Sequence, residues 1–311
     1  MPLVDVITPV KNTPSHYLST AIESVLSQTV NDYQIIIIND GSSTNYREDL
    51  VKYLSRLNND KIFLLDNFKN CGPPFARNIG IESFSSKYVA FLDSDDCWFS
   101  NKLENQLEIM ENGKGYSLIH SDVEYIDGTG ALISSRSSIP KQDFNKLKGM
   151  DLILYLISRN RIETLSVMVT RDSLNKVGYF DENFLRVEDW DLWLRYAMLN
   201  EPMYYQNKVL ASYRKHQSSI SHDYELVHKF KEKLFNKTFK ELRKRSKDDI
   251  PDSFENEIFR KLYKLTGRRL YNAKNYKKAV EYFKLSREFG FDYDCLRREF
   301  KCILKSWLIS L

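Results

Sequence analysis

Cysteine is scarce in this chain, four residues in 311, and the thiols at 71, 97, 295 and 302 form no CxxC pair and no Cys/His ligand spacing. That pattern excludes a disulfide framework or a zinc finger and predicts reduced, mostly structural thiols in a cytoplasmic protein. Long hydrophobic runs are missing too. The purely apolar stretches reach about five residues where a bilayer span needs about 20, so no membrane crossing is expected. The start, Met1-Pro2-Leu3-Val4-Asp5-Val6-Ile7, lacks a basic segment leading into an apolar core, and no signal peptide is expected. Neither GxxxxGK[ST] nor GxGxxG occurs among the 11 glycines, which removes support from ATPase and dehydrogenase readings.

What is present points to a packed protein. Hydrophobic residues make up 42% and aromatics 13% of a 36.7 kDa chain, enough for one large domain or a domain with an appendage. The net charge of +4 hides an asymmetry: residues 222–311 carry 23 Lys and Arg against 14 Asp and Glu, a net +9, leaving −5 for residues 1–221. The basic part suits anionic lipid or nucleic acid, and equally a set of solvated helix faces.

The first hundred residues alternate strand and helix. Strands are expected over Val4 to Pro9, Gln34 to Ile38, Lys61 to Leu65 and Tyr88 to Leu92, and helices over Tyr17 to Gln28, Tyr46 to Leu57 and Arg77 to Phe84. Such a βαβαβαβ order predicts a mostly parallel sheet with helices on both faces. Further on, Leu118 to Ile126, Ile162 to Val169 and Met203 to Tyr213 read as β segments and Asp189 to Leu199 as a helix. Helix dominates from Tyr224, broken near Pro251, with a helical hairpin around Asn275 to Phe283. The expected division is residues 1–221 and 222–311.

Chemistry gathers at strand ends, the edge where open α/β sheets bind ligands. Tyr88-Val89-Ala90-Phe91-Leu92 runs into Asp93, Asp95 and Asp96. Three carboxylates within four positions repel one another unless a cation sits among them, and oxygen ligands suit Mg²⁺ or Mn²⁺. Asp40 ends the second strand before Gly41, either as a turn-forming Asp-Gly pair or as an acceptor for a nucleobase N–H or a ribose hydroxyl. Arg77 follows a Gly72-Pro73-Pro74 loop near a helix start, where a phosphate could sit. Glu188-Asp189-Trp190-Asp191 opens another helix, as caps or as a site for a general base. Tyr213-Arg214-Lys215-His216 follows the last strand, and His216 can ligate a metal or bind a diphosphate.

Together, Val6-Ile7-Thr8-Pro9, Asn39-Asp40-Gly41-Ser42-Ser43, Gly72 through Ala76-Arg77-Asn78, Asp93-Ser94-Asp95-Asp96, Glu188-Asp189 and Tyr213-Arg214-Lys215-His216 resemble family 2 glycosyltransferases of the bacterial surface-polysaccharide type. The likeness covers roughly residues 3 to 221 and departs at Lys11-Asn12-Thr13, where many members place Tyr-Asn. It implies the GT-A fold, an α/β class with a mixed, mostly parallel sheet, here followed by a C-terminal helical extension. It also implies an inverting, Mn²⁺- or Mg²⁺-dependent transfer from a nucleotide sugar, most often UDP-linked, to a hydroxyl of a glycan or lipid-linked acceptor. By resemblance, Thr8 and Pro9 line the base pocket, Asp40 bonds the uracil, Arg77 contacts the nucleotide, and Asp93 joins Asp95 on the donor. Asp95, Asp96 and His216 are the implied metal ligands, Asp189 the base, and Glu188 and Trp190 the acceptor site. The implied location is cytoplasmic, with peripheral contact at the inner face of a bacterial membrane through the basic C-terminal helices, and no nucleic-acid partner.

Three other readings compete. A nucleotidyltransferase would carry a glycine-rich basic loop after the first strand, and Thr8 to Ser15 holds no glycine. A calcium loop beginning at Asp93 would need glycine where Trp98 stands. A degenerate glycosyltransferase kept as a nucleotide-sugar-binding scaffold is separated from an active enzyme by metal-dependent UDP release. The tail from Leu296 to Leu308 places Phe300, Ile303, Leu304, Trp307 and Leu308 on one helical face, suited to a lipid interface or to capping the preceding helices.

Overall fold

In chain order the structure begins with an alternating core of β1 (Val4–Val10), α1 (Ser15–Leu26), β2 (Tyr33–Asp40), α2 (Thr44–Leu57), β3 (Ile62–Asn67), α3 (Pro73–Ser83) and β4 (Tyr88–Phe91). There follow β5 (Cys97–Trp98), α4 (Lys102–Glu111), β6 (Leu118–Ile126), β7 (Leu132–Arg136), α5 (Gly149–Ser158), β8 (Met168–Thr170), α6 (Arg171–Val177), α7 (Glu188–Met198) and β9 (Met203–Arg214). The computed structural model describes residues 2–136, 144–216, 223–245 and 250–309. The chain divides into two compact units, Met1–His216 and Gln217–Leu311.

Strand β2 is buried along its whole length, as an uninterrupted isoleucine run requires when both sheet faces are covered. Val4, Val6, Ile35 and Ile37 pack with Leu18, Ala21, Ile22 and Val25 of α1. The alternate residues point the other way, and α3 lies so close there that a Cβ on Gly80 would sit 2.9 Å from Ile7 and 3.0 Å from Ile38.

The strand order β3-β2-β1-β4-β8-β6-β9-β5, with β7 on β6, gives the mixed sheet. β3, β2, β1 and β4 are parallel. β8 runs antiparallel to both β4 and β6, and β6 runs parallel to β9. Two reversals cancel, so β9 ends at the same sheet edge as β4, and the turn entering β8 lies there as well. Topology thus gathers segments more than 100 residues apart.

One expected element changes. Ile162 to Val169 holds a 3₁₀ turn at Thr164–Ser166, and the strand is confined to Met168–Thr170. Trp98 Nε1 and Gln106 Nε2 donate to the carbonyls of Leu165 and Ser166, which withdraws those groups from a sheet ladder. Helices α4, α5 and α6 are additional to the sequence reading.

The second unit comprises α8 (Tyr224–Arg245), α9 (Asp252–Asn272), α10 (Tyr276–Glu288) and α11 (Tyr293–Ile309), with Pro251 just ahead of α9. Three residues separate α9 from α10, and Gly267 lets the Phe283 ring approach within 2.8 Å of where a Cβ would stand, the close contact of a helical hairpin. Cys295 and Cys302 are buried, whereas Phe300 is 61% exposed; the side chains of Leu304, Trp307 and Leu308 lie outside the described residues. All four cysteines are free thiols. Among the described residues no helix is long and apolar enough to cross a membrane.

Candidate active site

Asp93, Asp95 and Asp96 leave the sheet just beyond β4 and split in environment. The Asp93 and Asp95 side chains are each 33% exposed, whereas Asp96 is buried. Asp96 Oδ1 accepts from the Arg214 backbone N–H at 2.7 Å, and Asp95 Oδ2 lies 2.8 Å from His216 Nε2. Arg214 also donates from Nε to the Asp95 carbonyl at 2.8 Å, and its guanidinium lies 4.6 Å above the Tyr17 ring. The end of β9 is thereby locked onto the acidic turn. Residues 217–221, adjoining His216, and the 221/222 boundary lie outside the described residues.

Burial and the neighbouring charges of Asp95 and Asp93 push the Asp96 carboxyl well above the usual carboxylate range. Burial and Asp93 raise Asp95, and His216 offsets part of that rise. A cation would relieve both repulsions. Among the described residues no three His, Cys, Asp or Glu side chains form a ready ligand set. Asp95 and His216 offer adjacent oxygen and nitrogen donors, with the buried Asp96 next to Asp95 in sequence. That fits a metal held by one or two carboxylates beside the imidazole and completed by substrate phosphates and water, as Mg²⁺ commonly is.

Asp40 is buried, with Oδ1 accepting from Asn67 Nδ2 at 2.7 Å and Cys71 N at 3.0 Å, and Oδ2 from Gly72 N at 2.8 Å. It ties the end of β2 to the loop before α3. Gly41 makes the turn possible: its φ is +64°, and a Cβ would fall 2.3 Å from Asn70 N. Thr8 Oγ1, at the end of β1, is buried without a partner, an unspent polar atom of the kind a ligand satisfies. Pro9 beside it is half-buried.

Arg77 is buried, and its guanidinium donates to Asp93 Oδ1 at 2.6 Å and to Glu188 Oε1 at 2.8 Å. Burial alone would lower its pKa, but the two carboxylates outweigh that and hold it firmly protonated. The sequence placed Arg77 toward a phosphate; the structure makes it the link between one acid of each cluster.

Those clusters meet at the start of α7. Val187, immediately before Glu188, has φ +60°, a costly conformation for a β-branched residue. Asp189 Oδ1 accepts from Trp190 N at 2.7 Å, and Oδ2 from Asn160 Nδ2 at 2.9 Å and Thr164 Oγ1 at 3.3 Å. Burial, then the charges of Glu188 and Glu163, push its carboxyl up to about 7. Trp190 itself is buried, its indole N–H bonded to the Leu156 carbonyl. Glu163, Asn160 and Thr164 are additional to the residues read from the sequence. Glu163 raises both Asp96 and Asp189 and accepts from Tyr125 OH at 3.0 Å. The only sequence signal was an acid inside a segment read as β.

A profile described as Glycosyl transferase family 2 matches residues 5–168. The chain is 31% identical over 266 residues to the Escherichia coli UDP-Glc:alpha-D-GlcNAc-diphosphoundecaprenol beta-1,3-glucosyltransferase WfgD, covering 85% of this chain and 91% of that one. It also matches uncharacterized glycosyltransferases of Methanocaldococcus jannaschii and several Rickettsia species, spanning between 26% and 66% of their length. Among solved structures, S. aureus TarS 1-349 in complex with UDP-GlcNAc has TM-score 0.55 at 16% identity, covering 96% of this chain and 88% of that one. The mannosyltransferase PcManGT of Pyrobaculum calidifontis, in complex with GDP-Man and Mn2+, has TM-score 0.61 at 13% identity, covering 95% and 78%. The structural likenesses establish the GT-A fold. With the profile spanning more than half of the chain and WfgD matched along nearly its whole length, the chain belongs to glycosyl transferase family 2.

Proposed function

We propose that this protein transfers a sugar, with inversion, from a UDP-sugar to a hydroxyl of a glycan or lipid-linked acceptor during surface-polysaccharide assembly. The observation that carries the reading is the pair of separate acidic clusters at one sheet edge, Asp93 to Asp96 and Glu188-Asp189, joined by Arg77. One cluster serves the leaving group and the other the acceptor. WfgD, whose name specifies UDP-Glc and a diphosphoundecaprenol acceptor, supports the choice of UDP and of a lipid-linked acceptor; the GDP-Man of PcManGT makes guanosine donors the comparison to run.

In this reading Thr8, Pro9 and Asp40 form the base pocket, with the free Thr8 hydroxyl available to the nucleotide. Asp95, Asp96 and His216 hold Mn²⁺ or Mg²⁺, which when bound neutralises charge growing on the departing diphosphate. Arg77 fixes Asp93 and Glu188 so that donor and acceptor sides keep their spacing. Asp189 Oδ2, oriented by Asn160 and Thr164, takes the acceptor hydroxyl proton as that oxygen attacks the anomeric carbon. A carboxyl near 7 is a stronger base than an ordinary aspartate and is still substantially ionised at neutral pH. Glu188 and the buried Trp190 shape the acceptor side.

The second unit supports a peripheral contact: its basic excess accompanies exposed Phe291, Tyr293 and Phe300, a combination that suits an anionic bilayer surface. Co-sedimentation with phosphatidylglycerol vesicles, lost in high salt, is expected. The transfer itself is tested by incubating the protein with Mn²⁺ and a panel of UDP- and GDP-sugars and following nucleotide release. No metal-dependent release from any donor defeats the enzymatic reading and leaves a binding protein. Retained anomeric configuration in the product, read by NMR, defeats inversion alone.

A further inference from the structure

Lys102 is fully buried at the start of α4, outside both acidic clusters. Its Nζ donates to Gln106 Oε1 at 2.6 Å and lies 4.0 Å above the Trp98 ring. Among the described residues it has no carboxylate partner, and burial pushes its ammonium well below the usual lysine value. Methionine would fill the same space without the cost of desolvating an amine. A buried group that departs from such economy belongs to a place where position matters more than stability.

The surroundings show what is positioned. Gln106 accepts from Lys102 with Oε1 and donates from Nε2 to the Ser166 carbonyl at 2.7 Å. The lysine requires an acceptor and the Ser166 carbonyl a donor, so the two partners select the same orientation of the amide and hold it at both ends; without the lysine the buried Oε1 loses its partner and the amide is anchored from one end alone. Trp98 Nε1 grips the adjacent Leu165 carbonyl at 2.8 Å. Ser166 closes the turn through its N–H and Oγ, which donate to the Glu163 carbonyl at 2.9 and 2.7 Å. From this turn Thr164 reaches Asp189 and Glu163 reaches Tyr125. At the opposite end a single residue, Cys97, separates Trp98 from Asp96, and the Trp98 N–H is tied to Ser24 Oγ at 3.1 Å.

We infer that Lys102, Gln106 and Trp98 form a buried positioning device that sets the Glu163–Ser166 turn, and through Thr164 the carboxyl of Asp189, relative to the acidic end of β4. The inference rests on Asp189 as the base in the proposed transfer. Lys102 is a positioning residue, acting through Gln106 and the turn, and touches no reacting atom.

The test uses the full-length chain as wild type, Lys102→Met and Gln106→Glu. Glutamate keeps an acceptor for Lys102 and removes the N–H given to Ser166. Two readings are taken: kcat and donor KM with Mn²⁺, and the titration midpoint of the Asp189 carboxyl by ¹³C NMR of aspartate-labelled protein without substrate. In both variants kcat is expected to fall about 10- to 100-fold with donor KM within about twofold, and the Asp189 midpoint to move by about half a pH unit or more. Wild-type kcat and an unmoved midpoint in folded variants, with only a lower Tm, overturn the inference and leave a packing role. If Lys102→Met does not fold, Gln106→Glu decides by the same two results, and Trp98→Phe, which loses the indole donor to Leu165 and part of the ring but keeps an aromatic face for Lys102, replaces it should that fail too. A wild-type protein without Asp189-dependent transfer defeats the proposed function; the NMR midpoint still decides the mechanical link.

Discussion

Replacing Asp189 by Asn removes the proposed base while leaving its volume and one of its hydrogen bonds. The amide oxygen can still accept from Trp190 N, but the new NH₂ meets the Asn160 donor that Oδ2 now accepts at 2.9 Å. A positioned base contributes about 10²- to 10⁴-fold, so kcat should fall by about that factor with donor KM little changed, because Asp189 belongs to the acceptor side. The wild type carries a second signature. With the carboxyl held near 7 and the ionised form required, kcat should rise about tenfold from pH 6 to pH 8 as that fraction grows. The slope should vanish in the variant. Stability moves the other way. Lifting a carboxyl from 3.8 to about 7 disfavours its charge in the folded state by about 4 kcal/mol. The sign follows from linkage: a raised folded value helps the fold while the group is protonated, and that help is lost between about pH 4 and 7. Asp189→Asn should therefore melt higher than wild type above pH 7 and no higher near pH 4. Initial rates across pH 5.5 to 9, with thermal melts of both proteins, give all of these. Near-normal turnover in the variant, or a flat wild-type profile with unchanged melting, refutes the assignment.

Arg77→Met leaves Asp93 and Glu188 without their shared cation; removing one partner of a buried pair costs about 3–5 kcal/mol, measurable by urea unfolding, and kcat should drop as the clusters lose their fixed spacing. Because metal ligands must be deprotonated and the Asp95 and Asp96 carboxyls are raised, Mn²⁺ affinity by calorimetry should weaken as pH falls, and Asp96→Asn should abolish that binding while raising the metal-free Tm. Asp5, buried and bonded to Gln34, Ser86 and Arg171, lies at the other end of β1 from Thr8; Asp5→Ala should cost about 3–5 kcal/mol and lower Tm by about 10 °C, with kcat per folded molecule unchanged.

The parallel core was legible because its signals are local. The isoleucine run of β2, the Gly41 turn and the apolar strand ending in acids each follow from a few adjacent residues, and so does the entry of α7 at Glu188. Ends drifted, by two residues at Ser15 for α1 and by four at Pro73 for α3, where the helix was expected only from Arg77, because capping depends on what surrounds the helix. The 3₁₀ turn at Thr164–Ser166 was hidden because an apolar run reads as a strand until Trp98 and Gln106, some 60 residues earlier, claim its carbonyls.

The same division holds for the site. The sequence by itself determined the fold class and which acids stand at strand and helix ends, since periodicity and turn chemistry act over a few residues. Only the tertiary structure decided that Arg77 spans Asp93 and Glu188, that His216 faces Asp95, that Glu163 bears on both clusters, and that a buried lysine stands behind the turn at Asp189. Those pairings arise from two strand reversals that bring distant segments to one edge, and the resulting burial turns ordinary carboxyls into strongly perturbed ones. Neither the proximity nor the low dielectric is a property of any short stretch of chain.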